Sequence, residues 1–298
     1  MSKISRTLSE NRVRQIALCL VGLLSFFTAL AFSPSANATV TYQIILRLGN
    51  TGSQNPVTHF DQGEDSDWHT FLDRVEGSYY PVGGWTADGA VAAKASYGVY
   101  KVNALGVTTT VGFVDGSTFA GSQDFFVLDS PGLTGEQGVF PVSIQVDSIA
   151  QGVGFGVANW QFLLQANGTN FLFLEQYAGD GYGYTRVNGV PGSVNDLFEF
   201  DIPIVFGSEL NLYMALYGGV GSSYDGRADL QLDKSVYWGG ISEVLYDGEP
   251  VPFTLTSRSG FDWSQSLIPV ASVPEPASLA LLGVAFAGLG FARHRKAR

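Results

Sequence analysis

Turn-forming dipeptides divide the chain between residues 39 and 268 into short runs of β-branched and aromatic residues. Asn-Gly and Asp-Gly both favour tight turns with positive φ, of the kind that joins two antiparallel strands. The clearest case is WQFLLQANGTNFLFLEQ, in which two apolar runs meet at Asn167-Gly168. The same dipeptides recur at Asn188, Asp88, Asp115, Asp180, Asp225 and Asp247. The pattern predicts a succession of β-hairpins.

Thirteen runs are predicted to be strands, among them Thr41 to Leu48, Val107 to Val114, Tyr182 to Val187 and Leu197 to Val205. With 37 glycines and little helical periodicity, they predict an all-β fold, an antiparallel β-sandwich or jelly-roll. The strand spacing is irregular and shows no fixed repeat, which argues against a propeller or a solenoid.

One short helix is predicted in SDWHTFLDRVEG, Ser66 to Gly77. Trp68, Phe71, Leu72 and Val75 follow the i, i+3, i+4, i+7 spacing of one apolar helical face. Ser66 is a suitable N-cap, and Gly77 a suitable end. We therefore expect a helix packed on the sheet.

Charge is distributed unevenly along the chain. The segment between the two termini carries eight basic and 25 acidic residues, a formal charge of −17, against −11 for the whole chain. Nucleic acids and anionic lipids bind clustered Lys and Arg, so this segment is not expected to bind nucleic acid.

The single cysteine, Cys19, lies near the N-terminus, and the predicted domain therefore has no disulfide.

The N-terminus has the three-part layout of a secretory signal peptide. Four basic residues precede an apolar stretch from Ile16 to Leu30, and small residues follow at Ala36 and Ala38. Signal peptidase is expected to cleave after Ala38, which makes residues 1–38 a removable leader. The alternative is an uncleaved N-terminal membrane helix.

The C-terminus also has the layout of a targeting signal. A Pro-rich linker, residues 269–276, precedes an apolar span, residues 277–292, and a basic tail, residues 293–298. Sixteen residues make about 24 Å of helix, short for a bilayer core of about 30 Å. The tail residues Arg293, Arg295, Lys296 and Arg298 are expected to stay in the cytoplasm, with residues 39–268 outside. The sequence thus predicts a single, weakly held transmembrane helix.

Val273-Pro274-Glu275-Pro276, followed by the Leu/Ala/Gly span and the Arg-rich end, resembles the PEP-CTERM sorting signal of bacterial surface proteins. The resemblance implies that Val273, Pro274, Glu275 and Pro276 are recognised by exosortase, a membrane enzyme that processes the chain near this motif. It further implies export to the cell surface or extracellular matrix of a Gram-negative, exopolysaccharide-producing bacterium. Residues Ala228 to Trp263 resemble the strand-rich region that often precedes this signal.

A metal site has one candidate. Asp61, Glu64, Asp65 and Asp67, with His59 nearby, supply the hard oxygen ligands that Ca²⁺ prefers, but they lack the order of an EF-hand loop. The simpler interpretation is that acids gather before a helix N-terminus. No cofactor is predicted.

Catalysis has little support in the sequence. The domain contains two histidines, His59 and His69, and neither a cysteine nor a Gly-x-Ser-x-Gly elbow. Trp85, Trp160, Trp238 and Trp263 are candidates for stacking on sugar rings, although most aromatic residues of a β-sandwich belong to its core. The prediction is a non-catalytic structural or adhesive protein. The alternatives are a carbohydrate-binding module with an exposed aromatic row and a glycan hydrolase with paired carboxylates.

Overall fold

The computed structural model describes residues 38–50, 56–79, 83–179, 182–192 and 196–269, with side chains at all of these except 78–79, 191 and 232–235. Within these ranges the chain forms eighteen β-strands and no helix. The strands are β1 (Thr39–Asn50), β2 (Val57–Gly63), β3 (His69–Tyr79), β4 (Gly83–Ser96), β5 (Val99–Thr109), β6 (Gly112–Asp129), β7 (Gln137–Val146), β8 (Ile149–Val153), β9 (Gly156–Ala166), β10 (Thr169–Gly179), β11 (Tyr182–Val187), β12 (Val190–Pro191), β13 (Leu197–Val205), β14 (Glu209–Ser223), β15 (Arg227–Trp238), β16 (Val244–Tyr246), β17 (Glu249–Val251) and β18 (Thr254–Ser257).

The strands form two antiparallel sheets of nine strands each. The first sheet has the order β12-β11-β10-β9-β14-β6-β1-β2, with β18 paired to β6. The second has the order β17-β16-β7-β15-β5-β4-β3, with β13 paired to β7 and β8 paired to β15. Side chains from the facing sheets meet in one core, as in the Tyr100–Phe162 and Phe126–Phe140 ring contacts. The predicted antiparallel β-sandwich is confirmed.

Strict alternation of side chains makes this core. In β9, each second residue from Gly156 to Ala166 is buried, and the residues between them are half-exposed. The same two-residue period holds in β4 and β5. It follows from the pleat, which turns successive side chains to opposite faces of a sheet. One face of each sheet therefore packs against the other sheet.

Two of the predicted Asp-Gly turns lie inside strands, and those turn predictions are wrong. Asp88-Gly89 is in the middle of β4 and Asp115-Gly116 is in β6. Both glycines face the core. A Cβ on Gly89 would lie 2.6 Å from Leu46 Cδ1, and a Cβ on Gly116 would lie 2.8 Å from Val91 Cγ1. These glycines allow close packing between the sheets, a use of glycine that does not require a turn.

The other described turn dipeptides behave as predicted. Asn167 has a φ of 49° and Gly168 one of 76°, and they join β9 to β10. Asn188-Gly189, Asp225-Gly226 and Asp247-Gly248 lie between consecutive strands, and each Asn or Asp has positive φ. Asp180-Gly181 lies outside the described residues. Short polar side chains tolerate this left-handed conformation better than most, which explains why Asn and Asp occupy these turn positions.

The helix predicted from Ser66 to Gly77 is wrong. His69–Tyr79 form β3, which pairs antiparallel with β4 from His69↔Ala93 to Tyr79↔Gly83. Phe71 and Val75 pack against the core, whereas Leu72 is 80% exposed. Residues four apart share a face in a helix and also in a strand, so Phe71 and Val75 fit both periods. The pairing with β4 shows that this segment is a strand and not a helix.

The strand predicted from Val107 to Val114 contains a turn. β5 ends at Thr109 and β6 begins at Gly112, and Thr110 between them has a φ of 55°. That φ is rare for a β-branched residue. Tertiary bonds hold it, because the Thr110 N–H donates to Asp225 Oδ1 at 2.7 Å and its hydroxyl donates to the carbonyl of Gly84 at 3.0 Å.

We expect Gly89→Ala to lower the free energy of unfolding by about 1–3 kcal/mol, because its Cβ overlaps two fully buried leucine side chains, Leu46 and Leu48. Gly84→Ala on the same strand is the control, since its nearest neighbour would be 3.9 Å away. Urea denaturation of both variants measures the difference. Equal stability of the two variants would contradict the proposed packing role.

Candidate functional site

The residues predicted for sorting lie outside the described residues. These are Val273, Pro274, Glu275, Pro276, Arg293, Arg295, Lys296 and Arg298, together with Ala36 in the leader. Ala38 is described, and it directly precedes Thr39, the first residue of β1. The chain divides between Leu267 and Ile268 into two units, and the geometry below concerns the first.

The last segment before the predicted linker, residues 254–267, is held along the first sheet. β18 pairs with the end of β6, from Thr254↔Asp129 to Ser257↔Phe126. Arg258 continues this pairing through a bond from its N–H to the carbonyl of Phe125 at 2.8 Å. We call residues 254–267 the C-terminal brace.

The Arg258 side chain fixes the start of the bend after β18. Its Nε and one terminal nitrogen each donate to a different carboxylate oxygen of Glu209 at 2.7 Å. Its guanidinium also lies 4.5 Å from the ring centroid of Phe125. Two parallel bonds and a ring contact restrict an arginine more than a single ion pair does.

A buried carboxylate, Asp124, anchors the middle of the brace. It is fully buried and accepts bonds from Trp263 Nε1 at 2.7 Å and from the Ser259 hydroxyl at 2.5 Å. The backbone N–H groups of Ser259 and Phe125 donate to its other oxygen at 3.2 and 2.8 Å. A buried charge is tolerated only when hydrogen bonds replace water around it, and four donors do so here.

Trp263 closes the brace over the core. It is fully buried and contacts the rings of Trp238 and Phe126 at centroid distances of 5.3 and 6.1 Å. Its carbonyl accepts from Trp238 Nε1 at 2.8 Å and from the N–H of Ile241 at 3.0 Å. The brace is thus part of the folded domain up to Leu267, whose N–H donates to the carbonyl of Trp238 at 2.8 Å.

The sequence analysis missed Asp124, although a signal was present. In SQDFFVLD, Asp124 has the same strand parity as Phe126 and Leu128, both buried. An acid in phase with core residues predicts a buried carboxylate that needs donors. Its partners, Ser259 and Trp263, are more than 130 residues away in sequence, so only the fold identifies them.

The two histidines of the domain join the sheets at one edge of the sandwich. His59 of β2 bonds Asp73 of β3 at 2.7 Å. His69 of β3 bonds Asp61 of β2 through Nδ1 at 3.0 Å and Asp65 of the connecting loop through Nε2 at 2.8 Å. Since β2 and β3 belong to different sheets, these pairs bridge the open side of the core. We call them the histidine edge.

The surroundings of His69 favour its charged form. Burial lowers the pKa of His69, but the hydrogen bonds to Asp65 and Asp61 outweigh burial and raise the pKa above its ordinary value. The bond from His69 lowers the pKa of Asp65, and the bond from His59 lowers the pKa of Asp73. The Tyr42 ring stacks on His69 at a centroid distance of 3.5 Å. A protonated His69 donates to both carboxylates at once.

The four calcium candidates have different surroundings in the structure. Asp61 and Asp65 both bond His69, while Glu64 is exposed in the loop and Asp67 donates its N–H to Asp65 at 2.9 Å. Over the described ranges, no group of three or more His, Cys, Asp or Glu side chains is arranged to hold a metal ion. Asp61 and Asp65 are hydrogen-bond partners of a histidine. The acids do not precede a helix N-terminus as the simpler interpretation expected, because His69–Tyr79 form a strand. Calcium binding stays the less favoured, untested alternative.

The tryptophans predicted as candidates for sugar stacking are core residues. Trp85, Trp160, Trp238 and Trp263 are at most 7% exposed. Trp160 donates its indole N–H to Gln176 Oε1 at 2.9 Å. The interpretation of these tryptophans as core residues is confirmed, and none of the four offers a free ring face.

The predicted transmembrane helix, residues 277–292, lies outside the described residues. Among those that are described, no helix is long and apolar enough to cross a membrane.

Comparison with known families identifies the C-terminal address. Residues 272–296 match the model of the PEP-CTERM protein-sorting motif, which confirms the resemblance noted in the sequence. The match includes the Pro-Glu-Pro residues, the apolar span and most of the basic tail. The motif implies processing by exosortase, a membrane enzyme, and export with membrane-associated sorting to the cell surface. No curated protein matches the chain.

We expect Asp124→Asn to lower the free energy of unfolding by about 3 kcal/mol, because the amide NH₂ faces donors and leaves at least one of them without an acceptor. Limited proteolysis is expected to cleave within residues 254–267 faster than in the wild type. Glu243→Gln, which changes an exposed carboxylate between β15 and β16, is the control. An unchanged cleavage rate in Asp124→Asn would contradict the anchoring role.

The histidine edge predicts a pH dependence of stability. The folded-state pKa of His69 is raised, so its contribution is complete below the unfolded value of about 6.5 and is lost as pH rises through the folded value. Asp65 and Asp73 have lowered pKa values. Their contributions are complete above an unfolded value of about 3.9 and are lost as pH falls through the folded values.

We therefore expect His69→Gln to remove part of the loss of stability that the wild type shows as pH rises above about 6.5. Urea titrations across this range measure the slope. Leu72→Gln, which changes an exposed side chain of the same strand, is expected to keep the wild-type slope. A wild-type slope in His69→Gln would exclude this residue as the source.

Proposed function

We propose that this chain is an exported protein of the cell surface or biofilm matrix of a Gram-negative bacterium, with a structural or adhesive β-sandwich that has no catalytic role. The PEP-CTERM sorting motif at residues 272–296 carries the proposal. Exosortase recognises Val273, Pro274, Glu275 and Pro276 and processes the chain near them. The basic residues Arg293, Arg295, Lys296 and Arg298 hold the tail in the cytoplasm until then.

Signal peptidase removes the leader after Ala38 in this proposal. Cleavage there leaves Thr39 as the first residue of the mature chain, and Thr39 is also the first residue of β1. Thr39 pairs with Gln123 of β6. The register supports cleavage at this bond, because the whole of β1 then remains in the mature protein.

The position of the brace supports a terminal address that can be removed. Its last anchoring bond is at Leu267, five residues before the matched motif begins at Ser272. Cleavage near Pro274 leaves the bonds of Asp124 with Ser259 and Trp263 in place. The bonds that anchor the brace therefore belong to residues on the N-terminal side of the proposed cleavage point.

Two observations support a role without catalysis. Both ring nitrogens of His69 bond carboxylates, so neither is available to take a proton from a nucleophile. An open cleft of about 490 Å³ is lined by Gln137, Pro203, Leu245 and other residues, with Asp247 as its one carboxylate. Glycoside hydrolysis uses a pair of carboxylates across such a cleft. A glycan hydrolase is therefore the weaker alternative.

The sorting proposal predicts which terminal variant stays anchored. We expect wild-type protein recovered from its native cells to begin at Thr39 and to lack Arg298, whereas Glu275→Ala retains Arg298 and stays in the membrane fraction. Intact mass and peptide mapping of both ends measure this. Glu249→Ala is the control, since Glu249-Pro250 is an exposed Glu-Pro pair within the domain. A wild-type protein that keeps Arg298 would contradict processing.

A further inference from the structure

Three tyrosines form a partly exposed cluster at one edge of the first sheet. Tyr177 of β10 lies directly opposite Tyr184 of β11 in register, with near-parallel rings whose centroids are 5.6 Å apart. Tyr182 lies 5.5 Å from Tyr177, and the two hydroxyl groups share a hydrogen bond of 2.9 Å. Tyr182 and Tyr184 remain 50% and 43% exposed. We call these three residues the tyrosine cluster.

The cluster lies on the face of the sheet that is turned away from the core. In β10, Leu172 and Leu174 are buried in the core, so the alternate positions Glu175 and Tyr177 point outward. Glycine leaves part of the backbone here without a side chain of its own. A Cβ on Gly179 would lie 3.0 Å from the Tyr182 ring, so this ring covers bare backbone. The tyrosines therefore form a shallow aromatic surface.

Planar polar groups border the tyrosines. Arg186 lies over the Tyr184 ring at 4.6 Å and bonds Glu175 at 3.1 Å. Asn159 is the cross-strand partner of Tyr177 on β9, and its side chain lies across Gly219, 3.0 Å from the position of a Cβ there. The Arg–Glu pair neutralises itself, so the border offers donors and acceptors without net charge.

An unused acceptor lies in the same border. Gln161 is the cross-strand partner of Glu175, one outward position along β9 from Asn159. Its side-chain oxygen Oε1 is buried and has no hydrogen-bond partner. A buried acceptor left without a donor destabilises the fold that contains it. Such an atom points to a donor that the isolated chain does not supply.

We propose that the tyrosine cluster and its polar border, Glu175, Arg186, Asn159 and Gln161, bind a neutral polysaccharide. Tyrosine rings provide rigid, partly polar faces on which the C–H face of a sugar ring packs. Tyr182 and Tyr184 are 50% and 43% exposed, and they present the accessible parts of the cluster to a sugar unit. Sugar hydroxyls donate to the carboxylate of Glu175 and accept from Arg186 and Asn159. Gln161 Oε1 is buried in the unbound chain, so in this proposal its side chain turns toward the bound sugar and accepts from a hydroxyl there.

The negative charge of the chain favours a neutral glycan over a polyanionic one. The chain between its termini carries a formal charge of −17, and the one cation of the border is paired with Glu175. A polyanionic polysaccharide is repelled by this field, whereas a neutral one is unaffected. The proposal deepens the adhesive role proposed above and rests on it for its biological setting. Binding by purified protein is measured without sorting, so the two proposals fail separately.

The test is affinity electrophoresis of the full-length chain in a polyoxyethylene detergent, which carries no sugar headgroup. Native gels contain barley β-glucan, the neutral polysaccharide fraction of the producing cells, or alginate as the polyanion. We expect a neutral polysaccharide to retard the wild type, with affinity about tenfold weaker in Tyr184→Ala and lost in Tyr182→Ala/Tyr184→Ala. Phe60→Ala is the matched control, since Phe60 is 54% exposed on β2 at the opposite edge of the same sheet.

A second variant separates binding from folding. Gln161→Leu removes a buried acceptor that lacks a partner, so we expect its melting temperature to equal or exceed that of the wild type while its retardation falls. A lowered melting temperature would assign Gln161 to the fold and remove it from the site. Absence of retardation in both neutral gels, retardation by alginate alone, or equal retardation of wild type and double variant would overturn the proposal.

Discussion

The two sheets approach so closely that glycine is required at several facing positions. A Cβ on Gly89 would lie 2.6 Å from Leu46 Cδ1, and one on Gly218 would lie 2.6 Å from Leu230 Cδ2. The only cysteine, Cys19, precedes the domain, so no disulfide adds to the stability. Close packing of large side chains against small ones must supply it. This packing depends on the alternation of buried and outward side chains in each strand. It also depends on the Ala- and Gly-rich β4 and on the burial of all four core tryptophans.

The C-terminal brace connects this core to the address that follows it. Asp124 accepts bonds from Ser259 and Trp263, and Trp263 completes the aromatic packing around Trp238. Bonds to a buried carboxylate are strong because water does not compete for them. The described bonds of the brace end at Leu267, and the sorting motif begins at Ser272.

Two polar clusters of the surface lie near the sheet edges. The histidine edge joins β2 to β3, and the tyrosine cluster lies on β10 and β11 near the opposite side of the first sheet. The first is a set of histidine–carboxylate pairs that connects the two sheets. The second is an aromatic surface with an unsatisfied acceptor beside it. The side chains of the first bond one another, whereas Gln161 Oε1 beside the second is buried without a hydrogen-bond partner.

The sequence by itself determined the all-β class, the turns at Asn167 and Asn188, and the sorting motif. Each of these is a local property, because positive φ and a contiguous recognition motif depend on adjacent residues alone. Tertiary structure decided that Ser66 to Gly77 contains a strand, since Phe71 and Val75 fit two periods and only pairing with β4 selects one. It also decided that Gly89 lies in a strand and that Asp124 meets Trp263. Packing between sheets and bonds across more than 130 residues depend on how distant strands are placed, and no short stretch of sequence records that placement.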